Sequence, residues 1–297
     1  MRAFVTGATG WIGSAVVDEL VSAGHQVIGL ARSDRAERAL AAKGVGVVRG
    51  DLDDLGSLRR GADQADAVIH LANKHDWGNP AESDRSERAA IRALGGVLSG
   101  TGRPFVVAAP FSGLVEGRPA TEDDVSPAVG PDSNRGGSEN LALDYVARDV
   151  RTVITRFAPS VHGHGDWGFV NFLTEAARDK GVSGYVGDGS AAWSAVHRDD
   201  AARLVRLGME KAPAGTRLHA VAEEAVTTKA IAEAIGRSLG LPVASVAPRD
   251  AGPHFGFVGS FFASTMTASS DVSRRLLSWE PTGPSLLADI DAGAYTA

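Results

Sequence analysis

The chain contains no cysteine, which excludes disulfide bonds, a thiolate nucleophile and any metal site built on cysteine sulfur. Aromatic residues are also scarce, at 6% of the chain, whereas glycine occurs 36 times. Many tight turns are therefore expected, although neither a repeat nor a low-complexity segment accompanies them. A hydrophobic fraction of 43% over 297 residues suffices for one large α/β domain, or for a nucleotide-binding domain with a smaller appendage.

Long runs of one kind of residue are missing as well. Basic residues form no cluster and the formal net charge is -6, so nothing indicates nucleic acid or an anionic membrane surface as a partner. No apolar run reaches the roughly 18 to 20 residues that a membrane-spanning helix requires. A first strand that begins at Met1 or Arg2 leaves no room for a signal peptide, and a cytoplasmic location is the expectation.

A glycine-rich turn lies almost at the beginning of the chain, in the segment VTGATGWIG over residues 5–13. A short apolar segment precedes it, and apolar residues at helical spacing follow it as far as Gly24. In such a strand-turn-helix unit, Gly7 permits the tight turn, Gly10 lets a pyrophosphate approach the backbone, and Gly13 allows close packing. Backbone N–H groups at the start of the helix then bind the phosphates. The pattern predicts a dinucleotide site, the alternative being a turn that binds nothing.

The end of the second strand indicates which dinucleotide is bound. NAD-specific folds place Asp or Glu about 20 residues beyond the glycines, where the carboxylate binds the ribose hydroxyls. This chain has Ala31, Arg32 and Ser33 at that place. A guanidinium beside a hydroxyl can bind a 2′-phosphate through charge-assisted hydrogen bonds, whereas a carboxylate would repel it. The sequence therefore predicts NADP(H) in preference to NAD(H), the alternative being that Arg32 is a solvated surface residue.

Strand and helix patterns alternate over the first half of the chain. Apolar segments typical of buried parallel strands are separated by segments with helical periodicity. This alternation predicts a Rossmann-type α/β fold, a doubly wound parallel sheet that binds ligands at the carboxyl ends of its strands. We expect residues 1–157 to form the dinucleotide-binding domain. Residues 158–297 should form a smaller α/β substrate-binding lobe, packed on the first domain and partly interleaved with it.

Several segments together resemble the extended short-chain dehydrogenase/reductase superfamily, which includes NAD-dependent epimerases and dehydratases and 3β-hydroxysteroid dehydrogenase-like proteins. The resemblance lies in the glycine turn, in residues 50–52 and 68–72, in Arg156, and in residues 195–200 with the helix that follows. It implies a set of cofactor contacts: the pyrophosphate at Gly7, Thr9, Gly10, Trp11 and Ile12, the ribose phosphate at Arg32, adenine at Asp51 and Leu52, and the bridge to the nicotinamide ribose at Leu71 and Ala72. Gly13, in the glycine turn, and Ser33, beside Arg32, also belong to the predicted cofactor set. Asn73 and His75, in the loop after the fourth strand, complete the predicted cofactor set.

The usual catalytic residues of that superfamily are missing. Its members typically use Ser or Thr at the end of the fifth strand and a Tyr-x-x-x-Lys motif on the next helix, where lysine lowers the tyrosine pKa and tyrosine transfers the proton. The corresponding positions here hold Ala109, Arg135 and Glu139. Tyr145 is the only tyrosine on this helix, and Asp149 stands four residues after it. The resemblance therefore extends to the fold but not to the usual proton transfer.

Three other residues are candidates for the chemistry. His75 could donate a proton to a carbonyl oxygen or pair with phosphate. Arg135 could stabilise a developing oxyanion, or form an ion pair with Glu139 at the start of the helix. His162 could line the substrate cleft, and because the H-G-H-G-D spacing of residues 162–166 is too open for a recognisable zinc motif, no metal is expected.

These observations favour an NADP(H)-dependent oxidoreductase that reduces a small, fairly apolar carbonyl or imine compound with a non-standard proton donor. An epimerase, dehydratase or isomerase that retains its nicotinamide cofactor is a second hypothesis, which the missing base weakens. A non-catalytic NADP(H)-binding sensor or regulator is a third, and the joint replacement of Ser, Tyr and Lys favours it. The resemblance also implies a homodimer paired through the fourth and fifth helices.

Overall fold

The computed structural model describes residues 1–76 and 78–296, and strands within this part of the chain form one large and two small sheets. In chain order the strands are β1 (Arg2–Thr6), β2 (Gln26–Ala31), β3 (Gly46–Arg49), β4 (Ala67–His70), β5 (Pro104–Pro110), β6 (Arg151–Phe157), β7 (Ser160–His162), β8 (Ser183–Val186), β9 (Ala192–His197), β10 (Arg217–Ala220), β11 (Glu223–Thr227) and β12 (Val243–Val246). The large sheet is parallel throughout and has the order β10-β6-β5-β4-β1-β2-β3; the small sheets are β11-β9-β7 and β12-β8.

Helices pack on both faces of the large sheet and around the small sheets. They are α1 (Trp11–Ser22), α2 (Asp34–Ala41), α3 (Leu55–Asp63), α4 (Pro80–Leu98), α5 (Ser138–Leu143), α6 (Phe169–Lys180), α7 (Arg198–Lys211), α8 (Thr228–Leu239), α9 (Ala251–Phe255), α10 (Val258–Phe262), α11 (Asp271–Leu277) and α12 (Leu286–Asp291). One core lies between the sheet, α1 and α7, and a second lies between the sheet, α3 and α4. The predicted Rossmann-type fold is therefore confirmed.

The apolar sequence of β1 follows from its central place in this sheet. Ala3 and Val5 face the core with α1 and α7, whereas Phe4 faces the core with α3 and α4. Successive side chains of a strand point to opposite faces, so a strand covered on both sides is apolar throughout. In the described part of the chain, no helix is both long and apolar enough to cross a lipid bilayer.

The C-terminal part of the chain contributes an edge strand to the large sheet. In the parallel pair of β10 and β6, Arg217 lies opposite Ile154 and Ala220 lies opposite Phe157. While α7 packs on the large sheet, residues from α6, α8, β9 and α12 build a third core. The two parts of the chain are thus interleaved, and a domain boundary at residue 157 stays a prediction.

The helix expected to follow the fifth strand and to carry Arg135 and Tyr145 is broken. Two 3-10 turns, Asn134–Gly137 and Asp144–Arg148, flank the short helix α5. Arg135 has φ 49° and the two glycines after it are also left-handed, a conformation that a right-handed helix cannot contain. This reversal directs the Arg135 side chain to Glu87 on α4 instead of along its own helix.

Candidate active site

The turn between β1 and α1 packs directly on the backbone that follows β4. Gly7 has φ 70°, and a Cβ atom there would lie 2.9 Å from the backbone N of Ala72. A Cβ at Gly13 would lie 2.0 Å from the carbonyl oxygen of Gly7. These close approaches explain glycine at both positions. A Cβ at Gly10 would meet only the carbonyl oxygen of Gly7, at 3.1 Å, among the described residues, so the space in front of Gly10 is open.

The first turn of α1 has the donors that a pyrophosphate requires. Gly10 is the N-cap residue of α1, and no side chain caps this helix. The backbone N–H groups of Trp11, Ile12 and Gly13 belong to the first helical turn, where N–H groups have no acceptor within the helix. Thr9, beside them, is exposed. An open cradle with several N–H donors fits the phosphates of a dinucleotide.

Arg32 and Ser33 are both exposed at the end of β2. Ser33 is the N-cap residue of α2, and its hydroxyl accepts a hydrogen bond from the backbone N of Ala36 at 3.2 Å. The carboxylate that follows, Asp34, pairs with Arg49 at 2.7 Å. The guanidinium of Arg32 is therefore exposed to solvent directly after β2, at this edge of the sheet.

Asp51 and Leu52 follow β3 in the loop before α3. Oδ1 of Asp51 accepts hydrogen bonds from the backbone N of Asp53 at 2.9 Å and of Asp54 at 3.0 Å, so this carboxylate shapes the loop. Leu52 is buried in the core that includes α3 and α4. Asp54 caps α3 by accepting from Ser57 N at 3.0 Å. The contacts of Asp51 and Leu52 with adenine stay predictions.

A buried polar pair joins the carboxyl ends of β1 and β4. Oγ1 of Thr6 lies 2.8 Å from Nδ1 of His70, and it also accepts from the backbone N of Ala72 at 3.3 Å. Burial lowers the pKa of His70 to about 4, so this histidine is neutral at pH 7. The pair fixes the course of Leu71 and Ala72 along the glycine turn.

The buried carboxylate of Glu87, on α4, joins two of the predicted catalytic segments. Its two oxygens accept from Nη2 of Arg135 at 2.7 and 2.5 Å, and Oε2 also accepts from Nδ2 of Asn73. Oδ1 of the same Asn73 accepts from the backbone N of His75 at 2.9 Å. One carboxylate, 2% exposed, therefore fixes both Arg135 and the loop that carries His75.

The position of His75 in this cluster determines its charge. Burial lowers its pKa, the positive charge of Arg135 lowers it further, and the negative charge of Glu87 opposes this decrease. His75 is consequently neutral at pH 7. Its backbone has φ 50°, a conformation uncommon for a residue other than glycine, which the hydrogen bond to Asn73 helps to hold.

A narrow pocket lies beside Arg135 at the carboxyl end of β5. It is lined by Pro110, Ser112, Leu114, Ser126, Ala128, Asn134, Arg135, Gly137, Ser138 and Glu139. Small apolar and hydroxyl side chains line it together with the amide of Asn134, the guanidinium of Arg135 and the carboxylate of Glu139. Its volume of about 20 Å³ admits a water-sized polar group beside the guanidinium.

His162 lies on β7 and has no exposed surface. Its Nδ1 atom lies 2.6 Å from Oδ2 of Asp289, and its Nε2 atom lies 3.9 Å from Oε2 of Glu223. Burial lowers the pKa of His162, while the Asp289 carboxylate opposes this decrease. The structure thus connects His162 to α12, whereas Arg135 and His75 meet at Glu87. The expected role of His162 in the substrate cleft stays a prediction.

Comparison with known proteins shows the family to which the chain belongs. The model of the NAD dependent epimerase/dehydratase family matches residues 3–93. An uncharacterized protein of Schizosaccharomyces pombe is 42% identical over 296 residues, which cover 99% of this chain and 100% of that protein. The chain belongs to the NAD-dependent epimerase/dehydratase family of extended short-chain dehydrogenase/reductases.

The chain is also similar to a reductase in sequence and to a dehydratase in structure. The 2-alkyl-3-oxoalkanoate reductase of Stenotrophomonas maltophilia is 33% identical over 224 residues, which cover 71% of this chain and 66% of that protein. The structure of the dTDP-glucose 4,6-dehydratase DesIV from Streptomyces venezuelae, with NAD and TYD bound, matches with a TM-score of 0.78 at 22% identity, covering 99% of this chain and 96% of that one. The structural match supports the fold.

The structure rules out one of the two alternatives for Arg135, which takes the place of the family's tyrosine. The ion pair between Arg135 and Glu139 is absent, because Arg135 points to Glu87 and the carboxylate of Glu139 binds Arg156. The position of the family's lysine therefore holds an acid whose oxygens are already hydrogen-bonded to a buried guanidinium.

Sequence analysis missed Glu87. On α4, Ser83, Glu87, Ile91 and Leu94 lie at helical spacing on the buried face. A carboxylate in such an otherwise small or apolar row is rare unless it has a charged partner. The position of Glu87 in the helical pattern is therefore the signal that indicates a buried ion pair.

Proposed function

We propose that the protein is an NADP(H)-dependent reductase of a small, fairly apolar carbonyl or imine compound. One observation carries this proposal: the buried carboxylate of Glu87 holds both Arg135 and the loop that contains His75, and a pocket lies beside them. The open glycine turn and the exposed Arg32 support a dinucleotide with a 2′-phosphate. The reductase name of the Stenotrophomonas maltophilia relative supports the reaction class.

Arg135 has the properties of an oxyanion-stabilising residue. The nicotinamide, when bound, supplies a hydride, and negative charge then develops on the carbonyl oxygen of the substrate. A guanidinium stays protonated in proteins and donates several N–H groups, so Arg135 can donate to this oxygen. Because Glu87 already fixes the guanidinium, little reorganisation is needed during the reaction.

Because its guanidinium stays protonated, Arg135 does not supply the proton. His75 is neutral at pH 7, since burial and Arg135 lower its pKa. A neutral imidazole still donates one N–H and accepts at its other nitrogen, so His75 can relay a proton from water to the product oxygen. Loss of the family's tyrosine removes general acid catalysis worth roughly 10²- to 10⁴-fold. Orientation of the two reactants, worth about 7 to 11 kcal/mol, does not depend on that tyrosine.

A second candidate function is a non-catalytic NADP(H)-binding sensor. The observation in its favour is the replacement of the family's three catalytic residues by Ala109, Arg135 and Glu139. Epimerase or dehydratase chemistry has less support, because these reactions need a base and the carboxylate of Glu139 is already bound to Arg156.

The test combines binding with turnover. The purified protein is titrated with NADPH and with NADH, and then mixed with a panel of aldehydes, ketones and cyclic imines while consumption of the reduced cofactor is followed. Consumption that falls strongly in Arg135→Gln supports the reductase. Tight NADPH binding without consumption supports the sensor, and isomerised product without net consumption supports an epimerase. If neither nucleotide binds below millimolar concentration, the proposed function is overturned.

A further inference from the structure

Arg198 reaches from the C-terminal part of the chain to the glycine turn. It is the first residue of α7, and its guanidinium carbon lies 4.2 Å from the centroid of the Trp11 ring. Trp11 is the first residue of α1 and follows Gly10 directly. A cation from the second half of the molecule is therefore stacked on a residue of the predicted pyrophosphate cradle.

The Trp11 ring is a fixed platform for this cation. Its Nε1 atom donates a hydrogen bond to the carbonyl oxygen of Val161 at 2.7 Å. A Cβ atom at Gly163 would lie 3.5 Å from Cζ2 of Trp11 and 3.2 Å from Nε2 of His197, so the chain passes closely on that side. The Trp11 ring is thus held against the backbone of β7 and the loop that follows it.

Little of the hydrogen-bonding capacity of Arg198 is used by its acidic neighbours. Its ion pair with Asp199 is 3.6 Å from Nε to Oδ1, which is beyond hydrogen-bond distance, and its side chain is 30% exposed. Asp166 is also within electrostatic range of Arg198, but its oxygens accept from the backbone N of Gly168 at 2.7 Å and from the hydroxyl of Tyr295 at 2.8 Å. A guanidinium stacked on a ring keeps its N–H donors in its own plane, where an anion can reach them.

We infer that Arg198 is a cofactor-binding residue that donates hydrogen bonds to the pyrophosphate of the dinucleotide. This inference rests on the proposed function, and it adds a contact from the C-terminal part of the chain to a cradle built by the N-terminal part. The helix terminus supplies only about half a positive charge, whereas a pyrophosphate carries two negative charges. Arg198 supplies a full positive charge beside it.

Arg198 and Arg32 should act on different parts of the cofactor. Arg32, at the end of β2, distinguishes NADPH from NADH through the 2′-phosphate. Arg198 acts on the pyrophosphate, which both dinucleotides contain. Adenosine 2′-monophosphate contains the 2′-phosphate but no pyrophosphate, so this probe separates the two residues.

The experiment measures the Kd values of NADPH, NADH and adenosine 2′-monophosphate by calorimetry. Arg198→Gln should weaken NADPH and NADH by the same factor, about tenfold for one charge-assisted contact, and leave adenosine 2′-monophosphate unchanged. Arg198→Lys keeps the charge and should lose less affinity than Arg198→Gln. Arg249→Gln is the matched control, because it removes the same charge from a side chain that is 88% exposed and should change none of the three constants.

The outcomes separate this inference from the proposed function. A parent protein that binds both dinucleotides while Arg198→Gln binds them equally well overturns the role of Arg198 alone. Weaker binding of adenosine 2′-monophosphate to Arg198→Gln also overturns it, since the substitution then disturbs the whole site. A parent that binds neither dinucleotide overturns the proposed function itself.

Discussion

Glu139 and Arg156 form a buried, two-pronged ion pair at the position where the family's lysine is expected. Nε of Arg156 lies 3.0 Å from Oε2 of Glu139, and Nη2 lies 2.5 Å from Oε1. Arg156 is wholly buried, and it also donates to the carbonyl oxygen of Asp124 at 2.7 Å. The ion pair therefore ties α5 to β6 and, through Arg156, to the connection before α5, a structural role that a lysine at position 139 could not perform.

Restoring the lysine should consequently destabilise the protein. Glu139→Lys places a second cation beside Arg156 and removes the carboxylate that paired with it. The expected cost is about 3 to 5 kcal/mol in the free energy of unfolding. Urea denaturation measures this cost. Glu116→Lys, at an exposed position, makes the same charge change and should have little effect. A Glu139→Lys variant as stable as the parent would contradict the buried pair.

The Glu87 carboxylate should affect turnover more than cofactor binding. Arg135→Gln is expected to lower kcat by about 10²- to 10³-fold on any carbonyl substrate found, because an oxyanion donor is lost. Glu87→Gln should lower kcat as well, by less, because Arg135 remains but is no longer held by a charge. The Kd of NADPH should change far less than kcat in both variants, since Glu87 reaches the predicted cofactor set only through Asn73. Arg92→Gln, at an exposed position of α4, is the control, and an equal decrease of kcat in that variant would refute the assignment.

Two glycine substitutions should have opposite effects on stability. An alanine at Gly13 would bring its Cβ to 2.0 Å from the carbonyl oxygen of Gly7, so α1 must shift, and the cost should be about 1 to 3 kcal/mol or more. Gly96, inside α4, has no atom within 4 Å of an added Cβ among the described residues, and alanine there should stabilise by about 0.5 to 1 kcal/mol. Thermal unfolding of the two variants checks both signs, and a stabilised Gly13→Ala would contradict the packing of the turn.

The buried His70 should make stability depend on pH in a defined window. Its pKa is about 4 in the folded protein and 6.5 in the unfolded chain, so the unfolded state binds more protons between these values. The contribution of the neutral histidine to stability is complete above pH 6.5 and is lost as the pH falls towards 4. The free energy of unfolding should decrease by a few kcal/mol at most. Urea unfolding at several pH values tests this against His70→Gln, which should show a shallower pH dependence. Identical slopes would disprove the neutral buried histidine.

The elements that short-range patterns specify were predictable from the sequence. The unit of β1, glycine turn and α1 rests on contiguous residues whose glycines are required by sterics. The parallel sheet follows from apolar strands that alternate with helical segments. Each of these features needs only neighbouring residues in the chain, and each is confirmed.

The site depended on contacts that the sequence pattern does not contain. Arg135 and Glu87 are 48 residues apart, and they meet only because residues 135–137 adopt left-handed backbone conformations that break the expected helix. The ion pair of Arg156 with Glu139 likewise competes with the local alternative of a pair between Arg135 and Glu139. Short strands such as β7 and β11 were missed for the same reason, since long-range pairing stabilises them more than their own composition does.

The edge strand β10 has a consequence for how the chain folds during synthesis. When β6 leaves the ribosome, its partner Arg217–Ala220 has not yet been made, and the outer edge of β6 stays unpaired. Unpaired edges of parallel sheets fold slowly and are prone to aggregation. The nascent N-terminal part must therefore remain protected until the second half emerges, and a fragment that ends after β6 is expected to precipitate instead of yielding a nucleotide-binding domain.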